Sequence, residues 1–545
     1  MTRSLFSSGL VALVMTLGLQ SGMGASAGEA GKGAAKGQGS DKAPLGSPDF
    51  YPSPERPIGW RGDGSGHYPG ATPPTAWSRT EQGEKKNIAW ETKLPCYTWS
   101  TPIIVGDKIF TRSEPYDLIC LDKKTGKILW IRSHPVIEGI SADEKKANPA
   151  FKNVEALVEE LQKLNNQYVA TGWAQDLCKK KHDLERRIND ETAAIDKKYA
   201  IPPDWYVESW SGYTGATPVS DGKYVCIDSG DGVTACYDLN GNKKWARFES
   251  CVPAWGEHGK ACSPTIVGDV LIYNRNTLNG VNKETGADLW KSMNFWDPYY
   301  MLNVKAADTD FVCIAGNFIR AKDGKVVCKP PADNGGGLVA MDGNMLYLTG
   351  GRAGFYRWEA KSADLITLTP LIPEEYNRVD FPFGQNPAFK TKLDDTYVGF
   401  YVASPIYNNG LLYCLGIAGR LVVLDTTKTV KKDMVAYSSF PPFDYKNGFG
   451  RKTPGFGMGS SPALAGKNIY MLDSTGCVII MEPGREYKQV AKNNIDCIVP
   501  EWSPLNGQAG YYTGPHHEQT EASMIFEGSH IYLRGEQNLY CIGEK

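Results

Sequence analysis

The chain has 545 residues, with 59 Lys plus Arg against 61 Asp plus Glu and a formal net charge of −2. Apolar residues make up 41% and charged residues 22%, enough for a core and against wholesale disorder. The near-neutral balance leaves no electrostatic footprint for nucleic acid or anionic lipid, and the many Gly (59) and Pro (34) point to the turns of an all-β chain.

The first residues read as a secretory signal. Arg3 supplies the positive end, Leu10 to Leu19 the short apolar run, and Ala25-Ser26-Ala27 the small-x-small cleavage site. At about ten residues the run is too short to span a bilayer as a helix. The expectation is an exported, soluble, monomeric protein, periplasmic or at the cell surface, cleaved near Ala27. Residues 28–58, rich in Gly, Ala, Lys and Pro, read as a flexible linker. The 13 Cys form no C-x-x-C pair. Cys120, Cys236 and Cys541 fall inside apolar strand patterns, so most Cys are expected to be small buried hydrophobes rather than a disulfide framework.

From residue 99 onward the chain repeats itself. Trp99-Ser-Thr-Pro102 leads to Leu118-Ile-Cys-Leu-Asp122 and Thr125-Gly126-Lys-Ile-Leu-Trp130. Ala216-Thr-Pro218 leads to Gly241-Asn-Lys-Lys-Trp245, and Cys262-Ser-Pro264 to Thr285-Gly286-Ala-Asp-Leu-Trp290. Further copies start at Pro405, at Pro462 and at Ser523, and two degenerate ones fit between Leu302 and Trp358. A period near 45 residues with about four short strands per unit predicts an eight-bladed β-propeller of four-stranded antiparallel blades. The Ser/Thr-Pro pair starts each innermost strand, where Pro costs no ladder bond. The terminal Trp fills the space between blades. The strand around Trp90 has no first three strands of its own, and the last copy lacks a fourth. Trp90 is therefore expected to close the ring, within an entry and first-blade region of 59–140.

Residues 141–200 break the β pattern. Val154, Leu157, Leu161 and Leu164, then Leu177, Leu184 and Ile188, recur at helical spacing with Gly172 between them. This predicts an αα-hairpin projecting from the ring as a solvated finger. The remaining blades occupy 201–545.

The loops that lead into the innermost strands share one face and are rich in aromatic and a few polar side chains. They carry Trp99, Trp210, Tyr213, Trp255 with Glu257 and His258, Trp296 and Tyr300. Tyr401, Tyr512, His516, His517 and Glu518 continue the series. Rigid aromatic area with a few orienting polar groups suits a ligand or partner face. His517-Glu-Gln-Thr-Glu521 is not a zinc-protease pattern, because its fifth position is Glu. No metal site is expected.

The Ser-x-Pro starts, the Asp-x-x-Thr-Gly-Lys…Trp endings and the entry segment Trp60-Arg61-Gly62-Asp63-Gly64-Ser65-Gly66 resemble the propeller proteins with pyrroloquinoline-quinone-like repeats. The resemblance is greatest to large exported members of planctomycete-type bacteria. It covers roughly 57–543 apart from the helical insertion. It implies the propeller and one of two functions. The family includes quinoprotein alcohol dehydrogenases, which hold the quinone with calcium, and a non-enzymatic outer-membrane assembly lipoprotein that binds a protein partner. This chain has no adjacent Cys pair, no recognisable Glu/Asn/Asp calcium set, no haem motif and no lipidated Cys. The expectation is a non-catalytic scaffold with no cofactor, contacting protein or glycan. The alternative is a dehydrogenase of alcohols or sugars that uses pyrroloquinoline quinone with calcium.

Overall fold

Each repeat folds as its motif dictates. In the third copy Pro264 precedes the strand Thr265–Val267, Gly268-Asp269 makes the turn, and Val270–Arg275, Thr277–Asn282 and Asp288–Lys291 follow as an antiparallel meander. The computed structural model describes residues 42–201, 212–250, 262–275, 277–295, 300–330, 337–350, 354–371, 403–416, 419–429, 431–444, 460–499 and 516–544. They form a β-propeller of four-stranded blades with a few helices.

Among the described residues seven sheets are four-stranded: A (103–133), B (219–248), C (265–291), D (301–328), E (337–370), F (406–439) and H (525–542 with Ile88–Lys93). The repeat count calls for eight such blades. The segment 463–495 instead forms the middle of a seven-stranded sheet, G. His67–Tyr68 joins one edge of it in parallel, and Ser78–Arg79 with Lys85–Lys86 joins the other. The extra strands come from the entry segment, whose Gly-rich composition hides them. In sheet H, Trp90 lies opposite Cys541, so residues from both ends of the chain share one sheet.

Neighbouring sheets dock through the terminal Trp. Trp90, Trp130 and Trp245 each pack on the turn glycine of the next sheet, Gly126, Gly241 and Gly286, at φ between +71° and +79°. Trp90 and Trp245 also donate their indole N–H to the carbonyls of Lys123 and Lys283, at 3.1 and 2.9 Å. Trp290 docks the same way on Gly324, outside the strong copies of the motif. Pro102, Pro218, Pro264, Pro405 and Pro462 all stand just before a first strand or its leading residues.

The helical hairpin does not project. Helices Phe151–Thr171 and Gln175–Ile195 lay an apolar stripe of Phe151, Val154, Leu157, Leu161, Leu184 and Ile188 against sheet A. Tyr168 donates to Lys93 O at 3.0 Å, and Lys181, buried, bridges Asp117 (2.8 Å) and Glu185. A buried cation that lost one such partner would cost about 3–5 kcal/mol, so the ion pairs fix where the hairpin sits.

Residues 42–58 are not a loose tether either. Ile58 and Ser220 exchange two backbone hydrogen bonds at 2.9 and 2.8 Å, and Tyr51 donates its hydroxyl to Gly222 O. From there the chain crosses the channel. Trp60 stacks on Tyr300 with centroids 3.6 Å apart and planes 4° from parallel. The Arg61 guanidinium reaches Pro462 O at 2.8 Å, and His67–Tyr68 then pairs with Leu464–Ala465. Gly64 and Gly66 permit this, because a Cβ at either would strike Leu302 or Arg61.

The docking rule gives a controlled prediction. Gly286 and Gly268 both have positive φ, but a Cβ on Gly286 would lie 2.6 Å from Trp245, whereas nothing lies within 4 Å of one on Gly268. Gly286→Ala is expected to lower the denaturation midpoint more than Gly268→Ala, by about 1–3 kcal/mol of added overpacking. Equal losses would contradict inter-sheet docking through Trp245.

Candidate binding face

In an antiparallel meander the loop entering the first strand and the turn between the second and third strands lie on one face, and the other two turns on the opposite face. Of the sequence-predicted site residues, Trp99, Tyr213, His516, His517 and Glu518 are described and stand in or beside loops of the first face. Trp99 is half-buried, with its ring 6.0 Å from that of Tyr97 and tilted by 59°. Tyr213 is buried, and its backbone N–H donates to Glu114 Oε2 at 2.9 Å. Thr214 donates its N–H at 2.7 Å and its hydroxyl to the other oxygen of Glu114. Burial pushes the Glu114 carboxyl up to about 7 against these bonds.

Glu518 does the same on the far side of the ring seam. It accepts the N–H groups of Gln537 and Asn538, both at 2.7 Å, the Asn538 side-chain amide at 3.1 Å and the Tyr540 hydroxyl. It is buried, and burial pushes its carboxyl up. His517 pairs through its strand with Ile498–Val499 and places Nε2 3.5 Å from Glu81 Oε1. His516 shares that two-residue strand. Tyr300, half-buried just before the first strand of sheet D, stacks on Trp60 of the crossing segment. Trp210, Trp255, Glu257, His258, Trp296, Tyr401 and Tyr512 lie outside the described residues.

Three buried arginines beneath this face have no counterpart in the sequence reading. Arg112 donates to Asp228 O at 2.7 Å and lies 3.0 Å from His134 Nε2. Arg275 pairs with the Asp228 carboxylate and donates to Ser229 O at 2.8 Å. Arg534 donates to Cys96 O at 2.8 Å. They tie the turns of sheets A, B and C together and sheet H to the loop entering A. Burial lowers Arg112 and Arg534 only to about 10, so both stay charged at neutral pH. Each arginine stands at or next to the end of a second strand, which is the signal a sequence reading could have used.

The Ser/Thr before each proline has a second role. Thr101 N–H donates to the Thr217 hydroxyl at 3.2 Å and Thr217 N–H to the Ser263 hydroxyl at 3.0 Å. Ser404 N–H donates to Ser461, and Ser461 N–H to Ser523, in the same way. The hydroxyls link consecutive sheets around the channel. This explains why the last copy keeps Ser523 although its next residue is Met524.

On the opposite face a cavity of about 300 Å³ opens between the crossing segment and sheets D, E and F. Asp63, Ser65, His67, Asn303, Lys305 and Tyr407 are its polar lining. Among the described residues no three His, Cys, Asp or Glu side chains converge as a metal site would need. No described helix is long and apolar enough to cross a membrane.

No family model matches the sequence, and no curated protein does. Solved structures do. BamB from Moraxella catarrhalis is 10% identical with a TM-score of 0.44, over 83% of this chain and 96% of that one. Quinohemoprotein alcohol dehydrogenase from Comamonas testosteroni is 10% identical with a TM-score of 0.46, over 84% and 76%. A europium-containing methanol dehydrogenase is 11% identical with a TM-score of 0.44, over 82% and 84%. Likeness this distant does not bear on activity, ligand or partner.

Glu114 gives a pH prediction. Its folded value of about 7 exceeds the ordinary 4.5. Its contribution to stability is therefore complete below pH 4.5 and is lost as the pH rises through 7. The denaturation midpoint should fall more steeply between pH 5 and 7.5 in the native chain than in Glu114→Gln. Parallel profiles would contradict a raised Glu114.

Proposed function

We propose that this chain is an exported, monomeric ring of eight blades, with the four central strands of sheet G as one of them, and that it is a non-catalytic scaffold. It contacts a protein or glycan through the aromatic rim of its entry loops. The observation that carries this reading is how two carboxylates of that face, Glu114 and Glu518, use their oxygens. Glu114 and Glu518 accept backbone N–H groups from the loops they sit under. These two carboxylates hold loop shape, which is a different task from giving or taking a proton at a substrate. Loops fixed from beneath in this way suit recognition, because area ordered before the partner arrives costs less to bind.

The alternative, a dehydrogenase with pyrroloquinoline quinone and calcium, asks for a planar cavity on the channel axis and a carboxylate set for the cation. The described residues do not fit. The axis is crossed by Trp60 and Arg61, with Trp60 already stacked on Tyr300. No acidic trio converges among the described residues.

Two measurements test the reading. The mature protein is titrated with pyrroloquinoline quinone and calcium while the thermal midpoint and quinone spectrum are followed. No shift at high micromolar quinone is expected, and a saturable rise would move the protein to the dehydrogenases. A photo-crosslinker is then placed at Trp99 and, as control, at Lys467 on the opposite face. A discrete adduct from position 99 alone is expected, and equal labelling from both positions would remove the rim as the contact surface.

A further inference from the structure

We propose that Cys226 and Cys236 are joined by a disulfide that locks the second and third strands of sheet B. The two are direct cross-strand partners, and their Sγ atoms lie 2.7 Å apart. That is nearer the roughly 2.05 Å of a disulfide bond than a packing contact between two sulfur atoms. Directly opposed residues of an antiparallel pair have Cα atoms about 4.5–5.5 Å apart, within the range a disulfide spans.

Comparison across the sheets says why two cysteines meet here. Where the fourth strand carries Trp, its third-strand partner is small: Cys120 opposite Trp130, Gly280 opposite Trp290, Cys541 opposite Trp90. Where it carries a residue other than Trp, the partner is larger: Phe318 opposite Cys328, Ile480 opposite Ala491, Val423 opposite Tyr437. The indole needs the room, since a Cβ on Gly280 would collide with Trp290. Cys236, opposite Trp245, follows this size rule. Cys226 does not. In the other Trp rows the second-strand residue is large: Phe110, Ile272 or Tyr532. Size therefore accounts for Cys120, Cys541 and Cys236 as small residues. It leaves Cys226 without a reason except the sulfur facing it.

Both sulfurs are sealed by Ile266, Leu271, Tyr273 and Val281 of sheet C, and both residues are fully buried. Oxidation must precede the docking of that sheet. The two thiols lose two protons and two electrons to a disulfide-bearing oxidant, which leaves as the corresponding thiols while the Sγ–Sγ bond forms. In a cell this rests on the export proposed above, because only an oxidising compartment supplies such an oxidant.

The test needs no export. The full chain, reduced and denatured, is refolded in a mixture of reduced and oxidised glutathione, then denatured and alkylated without reductant and mapped by mass spectrometry. The expected product is a linked peptide pair containing Cys226 and Cys236, with two fewer alkyl groups than the reduced control. Cys226→Ala should restore alkylation of Cys236. Folded protein in which both cysteines are alkylated, or a map that pairs either with another cysteine, would overturn the proposal. If the pair forms in glutathione but is absent from protein taken from its native cells, the export reading fails and the pairing stands.

Discussion

A ring of meanders turns the first strand of every blade toward its axis, and each such strand presents backbone groups with no partner inside its own sheet. Buried away from water, such groups are costly, so each needs a partner. In sheets B and G this chain meets the constraint with its own entry segment, which also reaches the first turn of sheet H. Ile58 pairs with Ser220 in sheet B, Gly66 O accepts from Leu464 N–H in sheet G, and Thr72 N–H donates to Gly528 O in sheet H. The segment cannot be stripped away without exposing these edges. The glycines at 62, 64 and 66 follow from the same need, since the crossing strand lies too close to its neighbours for side chains.

Away from the axis, the space between blades is governed by size matching. The fourth-strand Trp demands a turn glycine in the next sheet and a small residue beside it in its own. Buried arginines and the chain of Ser/Thr hydroxyls then bind consecutive sheets on the entry face. Three sets of contacts thus act on one ring: backbone at the axis, indole and glycine at the periphery, charge and hydroxyl under the rim. The functional consequence is a rim whose loops are held from beneath by Glu114, Glu518 and the buried arginines.

The repeat was legible because its signals are local. Proline, turn glycine and terminal Trp recur at fixed offsets, and the closing role of Trp90 follows from counting strands. Three features were hidden, each for a physical reason. Residues 42–58 look like a linker because their composition carries no apolar period, yet Tyr51 and Ile58 are tied to sheet B by isolated hydrogen-bonding contacts that no pattern announces. The strands that widen sheet G are two residues long, below any periodicity. The hairpin's charges balance over 141–200, which suits a solvated finger. Yet Lys181 and Glu185 are buried with Asp117, and composition cannot separate an interior ion pair from a surface one. For the site, Glu518 and Tyr213 were found by position, but their work is structural. Glu114 and Arg112, four and six residues before the motif that begins at Leu118, were missed because their partners lie in other blades.

The most direct test of this account is hydrogen exchange of the amides from Ile58 to Thr72 in the full chain. If the segment seals the channel, a peptide covering these residues exchanges as slowly as the strands Ala463–Ala465 and Asn468–Leu472 against which it lies. Exchange at the rate of an open loop would contradict it, and would leave the channel accessible and the quinone alternative without the obstacle of the crossing segment.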